Sequence, residues 1–211
     1  MGVEVTAIVD ALARHYPNPK VALNFSTPLE LLIATILSAQ CTDERVNIVT
    51  QGLFKKYRSA KDYAGADVNE FEEDIRSTGF FKNKAGMIIG CAGRLERDFG
   101  GKVPETIEQL TTLPGVGRKT ASVVLVAAFG IPAIAVDTHV LRVSNRLGLV
   151  DNQRDPEKVE MTLRELIPQQ RWIGFTLSTV LFGRHVCKAK TPLCGNCLLY
   201  EPCKWTNKHK T

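Results

Sequence analysis

The chain has 211 residues, 44% of them hydrophobic, so it can bury the core of one domain or of two small ones. No apolar run reaches membrane-spanning length and no secretory leader is recognisable, so we expect a cytoplasmic protein with reduced thiols and no membrane partner. The formal net charge is +5, and the whole excess lies after residue 183, where there are six basic residues and one acidic residue. Such a basic segment could bind nucleic acid, or it could simply be solvated.

Apolar residues recur at helical spacing along the chain, whereas no stretch alternates as a strand would. Short polar residues such as Thr42 or Asp43 are placed to cap helices, and glycine or proline follows most of the periodic segments. The sequence therefore predicts an all-α protein with short loops. The predicted helical segments lie within residues 1–20, 29–39, 44–57, 67–79, 85–99, 104–112, 118–129, 138–147, 156–167 and 172–183.

Two of the connections carry side chains with more than one interpretation. Gln40 follows an apolar helix and is, most simply, a polar residue at a helix end. Residues 80–84, Phe-Phe-Lys-Asn-Lys, predict a turn in which one aromatic ring joins the core and the other is partly exposed. The alternative is an aromatic wedge at Phe80 beside two phosphate-binding lysines, Lys82 and Lys84.

The segment Leu113–Ala121, Leu-Pro-Gly-Val-Gly-Arg-Lys-Thr-Ala, predicts a tight hairpin between two helices. Pro114 and Gly115 end the first helix, and Gly115 and Gly117 leave backbone N–H groups bare because glycine has no Cβ. The second helix starts at Arg118, and its first amides have no partner within the helix. Bare amides at the positive end of a helix dipole form an anion site, which would fit a DNA phosphate.

Lys119 and Asp137 are ionisable residues at the starts of two predicted helices. Their simplest interpretations are a solvated lysine and an N-cap, respectively. A cation is unfavourable at a helix N-terminus, however, and a neutral lysine amine is a nucleophile. A nearby carboxylate can take up a proton or stabilise a developing cation, so a catalytic pair is the alternative hypothesis.

Four cysteines lie within 17 residues with the spacing C-x6-C-x2-C-x5-C: Cys187, Cys194, Cys197 and Cys203. Disulfides are disfavoured in a reducing compartment. Zinc sites usually have two close pairs of ligands, whereas this segment has one, so an iron–sulfur cube is favoured over zinc. Either metal would fold a segment too short to bury a core of its own. Cys41 and Cys91 are expected to be plain buried thiols.

Together these motifs resemble the endonuclease III family, whose members are helix-hairpin-helix DNA glycosylases with an appended [4Fe–4S] cluster. The resemblance covers nearly the whole chain, including Leu37–Gln40, Gly79–Ala85, the hairpin, Val136–His139 and the four cysteines. It implies a six-helix bundle domain at residues 21–131 and a second helical domain formed by residues 1–20 plus 132–211. The resemblance further implies that the cluster lies in the second domain and that the site lies in the cleft between the two.

The resemblance also implies the reaction, which is excision of oxidised pyrimidines from damaged double-stranded DNA followed by strand cleavage. Lys119 would attack C1′ and form a Schiff base, with Asp137 assisting, and β-elimination would then cut the strand. We expect a monomer that needs no nucleotide cofactor. The expected DNA-binding residues are Gln40, Phe80, Lys82, Gly115, Gly117, Arg118, Thr138, His139, Arg142 and Lys190. The four cysteines are the implied ligands of the [4Fe–4S] cluster.

The chain departs from the family pattern at Cys41, Phe80, Ser122 and Phe182, where Ala, Leu, Asn and His are respectively frequent. One alternative is an adenine-mismatch DNA glycosylase, which shares the fold and cluster but lacks the lysine nucleophile and normally has a further C-terminal domain. Lys119 and the end of the chain at residue 211 argue against it. The other alternative is a non-catalytic helix-hairpin-helix protein that only binds DNA.

Overall fold

The computed structural model describes residues 3–209, which contain eleven α-helices and no strand, so the all-α prediction is confirmed. Lys210, one of the six basic residues after residue 183, lies outside this range. Within residues 3–209, no helix combines the length and apolar character needed to cross a bilayer. The helices are α1 (Val3–His15), α2 (Pro28–Leu37), α3 (Asp43–Lys56), α4 (Ala60–Ala64), α5 (Val68–Ile75), α6 (Phe81–Phe99), α7 (Ile107–Leu110), α8 (Arg118–Val124), α9 (Thr138–Arg146), α10 (Pro156–Leu166) and α11 (Trp172–His185).

Short polar side chains fix where most of the helices begin. Thr27, Thr42 and Thr106 each accept a hydrogen bond from an amide in the first turn of the helix that follows. Asp67 does the same for α5 and Asp155 for α10. Each cap satisfies one of the amides that a helix leaves unpaired at its N-terminus, which is worth about 1 kcal/mol.

The chain divides into two compact units, and Ala22–Ile131 forms one of them. This unit holds α2 to α8, of which α4 and α7 are only five and four residues long. The apolar helix α2 lies at its centre, where every residue from Leu31 to Leu37 is buried. Phe71 and Ile75 of α5 are also fully buried, so the core of this unit is built around α2.

Met1–Val21 and Pro132–Thr211 form the second unit, which holds α1 and α9 to α11. Its core joins the start of the chain to the C-terminal helices. Ile8, Val9 and Leu12 of α1 are buried as the periodicity predicts, in one cluster with Phe175 and Phe182 of α11. The N-terminal helix is therefore an integral part of a unit built mostly from the second half of the chain.

Three local expectations were wrong. The five-residue helix α4 was not predicted, because it is too short to show a period. The spacing of Val68, Phe71 and Ile75 predicts one buried stripe, but Val68 is 50% exposed, since it stands at the first residue of α5. The turn expected at residues 80–84 is instead the first turn of α6, which begins at Phe81 directly after the left-handed residue Phe80.

Candidate functional site

The hairpin between α7 and α8 has the form that the sequence predicts. Leu113 and Val116 are buried beneath it, and the amide of Val116 donates to the carbonyl of Leu113 at 3.1 Å. Gly115 has a φ of 75°, and a Cβ there would lie 2.9 Å from the Cβ of Met87, so both backbone and space require glycine. The hairpin is thereby held against α6, which carries Met87.

Gly117 differs from Gly115 in its backbone conformation and in the space around it. Its φ is −86°, which any residue can adopt, and a Cβ there would have nothing within 4 Å. Gly117 is the N-cap of α8, and no side chain caps that helix. The missing Cβ therefore leaves the exposed N-terminus of α8 open to a close approach by an anion.

Lys119 lies in the first turn of α8 with its side chain exposed, two residues beyond Gly117. The rest of the helix is anchored, because Ala121, Ser122 and Val124 are buried. The hydroxyl of Ser122 is buried without a hydrogen-bond partner among the described residues. This arrangement presents the amine of Lys119 to solvent from a rigid helix beside the open hairpin.

Asp137 is the N-cap of α9, as its simplest interpretation predicts. Its Oδ1 accepts hydrogen bonds from the amides of His139 and Val140, both at 2.8 Å. The side chain is only half-buried, whereas the apolar run Ile134–Val136 before it is buried. The cap holds the carboxylate in one orientation at the surface of its unit, which a catalytic role would also need.

The first turn of α9 continues with Thr138, which is exposed, and His139, which is half-buried. The guanidinium of Arg142 donates to the carbonyls of Cys187 at 3.0 Å and Gly183 at 2.9 Å, and lies 3.1 Å from Nδ1 of His139. Burial lowers the pKa values of both His139 and Arg142. These contacts join α9 to α11 and to the cysteine segment. They do not test the expected DNA contact by Arg142, which stays a prediction.

The four cysteines of the C-terminal segment are reduced and half-buried, and they line one pocket with Leu147, Phe182 and other apolar residues. The space between its walls, including the part open to solvent, is about 360 Å³. Burial raises the pKa values of Cys197 and Cys203. Among the described residues, no three Cys, His, Asp or Glu side chains converge as the ligands of a single metal ion do.

Arg146 of α9 organises the rim of this pocket. Its guanidinium donates to the carbonyls of Lys188 and Ala189 at 2.8 and 2.9 Å, and lies 3.4 Å from Sγ of Cys187. It also stacks over the ring of Trp205, 4.0 Å from the ring centroid. The cysteine segment is thus tied to α9 by side chains, and Lys188 and Lys190 remain exposed on its surface.

Gln40, Phe80 and Lys82 are all exposed on the unit formed by Ala22–Ile131. Phe80 is 64% exposed, so the aromatic at this position is not part of the core. Lys84 is buried and donates to backbone carbonyls, which contradicts its interpretation as a phosphate-binding lysine. Nothing near Lys84 in the sequence indicates this burial, since a lysine beside exposed polar residues normally stays in water.

Ser122 and Phe182 are the two family departures that are buried. Phe182 lies in the core of its unit and lines the cysteine pocket, so this departure fills apolar space.

The two cysteines outside the C-terminal segment differ in burial. Cys91 is buried as expected, and its burial raises its pKa to about 12. Cys41 is only half-buried and is not the enclosed thiol that was expected.

Comparison with known proteins gives consistent matches. The family model for HhH-GPD superfamily base excision DNA repair proteins matches residues 33–169. The chain is 51% identical to endonuclease III of Synechocystis, covering 94% of this chain and 90% of that one, and 43% identical to endonuclease III of Bacillus subtilis, covering 95% and 92%. A solved trapped endonuclease III–DNA covalent intermediate superposes with a TM-score of 0.92 at 45% identity, covering 97% of each chain.

Proposed function

The chain belongs to the HhH-GPD superfamily of base excision DNA repair proteins, as a member of the endonuclease III family, and from this premise we propose a role for each residue of its candidate site. It is a bifunctional DNA glycosylase and AP lyase. We propose oxidised pyrimidines in damaged double-stranded DNA as its substrates, bound by a monomer without a nucleotide cofactor. Its relatives are bacterial, and we propose that it acts on DNA in the bacterial cytoplasm.

Lys119 is the proposed nucleophile. Its exposed amine stands at the start of a helix whose remainder is anchored in the core. The amine forms a bond to C1′ of the damaged nucleotide as the glycosidic bond breaks, and the departing base takes the bonding electrons and gains a proton. Loss of the amine proton and opening of the sugar then give a Schiff base. A covalent enzyme–DNA intermediate in a structure 45% identical to this chain supports this step.

Asp137 is proposed to assist from its position at the N-terminus of α9. The two amides bound to Oδ1 fix the carboxylate, and Oδ2 is the oxygen that does not receive them. An oriented carboxylate can take the proton that the lysine amine loses and can stabilise positive charge on the sugar. The proposal requires that Asp137 and Lys119 reach the same deoxyribose.

Strand cleavage follows from the Schiff base itself. The iminium nitrogen draws electrons from the sugar carbon chain, so the C2′ proton becomes acidic. When a base removes that proton, the electrons form a C2′–C3′ double bond and the 3′ phosphate leaves with the C3′–O bond electrons. Hydrolysis of the imine then releases Lys119 for another turnover, so no redox step is needed.

The proposed DNA contacts use both units. The open N-terminus of α8, with Gly115, Gly117 and Arg118, binds a backbone phosphate through its amides. On the same unit, the exposed Lys82 provides a further positive contact. Contacts from the second unit come from the first turn of α9, with Thr138, His139 and Arg142, and from Lys190 of the cysteine segment.

Gln40 and Phe80 are proposed to fill the gap left by the everted nucleotide. Both side chains are exposed at the ends of loops in the same unit. A lesion buried in the base stack cannot be reached at C1′ until its nucleotide swings out, and an inserted side chain keeps it from returning. The ring of Phe80 offers a large apolar face for this purpose.

Cys187, Cys194, Cys197 and Cys203 are proposed to hold a [4Fe–4S] cluster. All four line one pocket, and their spacing, with a single close pair, favours an iron–sulfur cube over a zinc ion. The bound cluster would supply folding energy and shape to the segment that carries Lys190. No step of the reaction passes through it.

The exposed amine of Lys119 on α8 is the observation that carries this proposal, and borohydride trapping tests it. Reduction of the Schiff base should link the wild-type protein covalently to DNA containing an oxidised pyrimidine. We expect Lys119→Ala to give no adduct while it still binds the same DNA. An adduct of normal yield with Lys119→Ala would show that another amine is the nucleophile.

A further inference from the structure

Lys84 is a buried cation for which the proposed reaction has no use. Its side chain is 3% exposed, and its Nζ donates to the backbone carbonyls of Leu37 and Thr78, each at 2.8 Å. Leu37 is 47 residues away in the sequence, so this ammonium joins two distant parts of the chain. Burial lowers the pKa of Lys84, and the thiol of Cys41 opposes that shift.

Both carbonyls belong to the last residue of a helical segment. Leu37 ends α2, and Thr78 ends the 3-10 turn Arg76–Thr78 that follows α5. The carbonyls at a helix C-terminus have no partner within the helix and carry partial negative charge, so a cation is favourable there. Lys84 therefore fixes the two points at which the chain leaves these helices.

Each exit leads within three residues to a strained and exposed residue. Gln40 has a φ of 53° and Phe80 a φ of 49°. Within residues 3–209, Asn152 is the only other residue besides glycine with a positive φ. Such conformations persist only where the surroundings hold them, and they cluster where a side chain must be presented in one direction.

We propose that Lys84 is a positioning residue that locks the loops of Gln40 and Phe80 together, so that the two side chains enter the duplex as a pair. The inference rests on the proposed roles of these two residues. One buried ammonium bonded to both exits means that neither loop can shift without losing its contact with the other. Without that ammonium, each loop keeps its own turn, but their relative placement is no longer fixed.

The first test compares two activities of one protein preparation. Excision of an oxidised pyrimidine inside a duplex needs the wedge, whereas strand cleavage at a preformed abasic site needs it less, because no base must be driven from the stack. We expect Lys84→Met to lower the excision rate about tenfold relative to abasic-site cleavage. Ile88→Val is the control, because Ile88 lies one turn further along α6, is fully buried, and has an apolar side chain that cannot donate to either carbonyl. It should leave the ratio unchanged.

A double-mutant cycle separates this inference from the proposed function. Gln40→Gly with Phe80→Gly removes both side chains while keeping left-handed backbone without strain. In that background Lys84→Met should no longer change the ratio. If the glycine variant excises as fast as wild type, the proposed wedge roles fail. Two results would overturn the positioning role. One is a slow glycine variant in which Lys84→Met still lowers the ratio of excision to abasic-site cleavage by the same factor. The other is an equal loss of both activities when Lys84→Met is made in the wild-type protein.

Hydrogen exchange on the DNA-free protein gives a readout that needs no catalysis. Lys84→Met should speed exchange in peptides covering residues 38–43 and 78–81, whereas Ile88→Val should not. If Lys84→Met does not fold, Lys84→Gln takes its place in every arm, since it keeps a neutral donor but lacks the charge. Unchanged exchange in both loops of a folded Lys84 variant would contradict the proposal.

Discussion

Gly115 and Gly117 lie two residues apart in the hairpin, but the structure predicts that alanine lowers stability at Gly115 and weakens DNA binding at Gly117. At Gly115 the φ of 75° would place alanine in the left-handed region, at a loss of about 1 to 2 kcal/mol. The new Cβ would also lie 2.9 Å from Met87, which adds roughly 1 kcal/mol of overpacking. We therefore expect Gly115→Ala to lower the free energy of unfolding by about 2 to 3 kcal/mol.

Gly117→Ala should leave stability nearly unchanged. Alanine is a poorer N-cap than glycine, but it also restricts the unfolded chain, and each effect is worth only about 0.5 to 1 kcal/mol with opposite sign. The added methyl group would instead occupy the space in front of the open N-terminus of α8. Loss of one hydrogen bond to a phosphate, worth about 1.5 kcal/mol, predicts roughly tenfold weaker DNA binding.

Denaturant unfolding and fluorescence anisotropy with an abasic-site analogue duplex measure the two quantities on the same samples. Both titrations are run at one salt concentration, because phosphate contacts weaken as salt rises. Undiminished affinity of Gly117→Ala would refute the anion site at the hairpin. Wild-type stability of Gly115→Ala would refute the reasoning about its backbone and its contact with Met87.

Two further predictions concern the other unit. Asp137→Asn should keep the melting temperature within about 2 °C, because asparagine caps a helix as well as aspartate does. It should slow base excision at least about a hundredfold, because an amide cannot take up a proton. Normal turnover of this variant would rule out the catalytic role of Asp137. Metal analysis of purified protein should give four iron and four sulfide per chain, and Cys197→Ser should lose both together with the order of the C-terminal segment in hydrogen exchange. One zinc per chain would refute the cluster.

The sequence predicts the elements whose signals are local. The cap at Asp137 and the start of α8 at Arg118 depend on neighbours within four residues, so residue type and spacing are sufficient to predict them. The apolar helix α2 is predicted for the same reason, since an almost wholly apolar helix must be buried on all sides.

Features that depend on distant partners could not be predicted in this way. The side chain of Lys84 pairs with a carbonyl 47 residues away, and nothing near it in the sequence indicates burial. The guanidinium of Arg142 bonds to carbonyls more than 40 residues along the chain, and its position in α9 gives no sign of these partners. The difference between Gly115 and Gly117 likewise needs the position of Met87 on α6.

Identification of the trapped amine tests the central claim most directly. Wild-type protein is reduced with borohydride on a duplex containing an oxidised pyrimidine, the adduct is digested, and the modified peptide is sequenced by mass spectrometry. The account predicts a sugar remnant on Lys119 and on no other lysine. A remnant on a different lysine or on the N-terminal amine would contradict it.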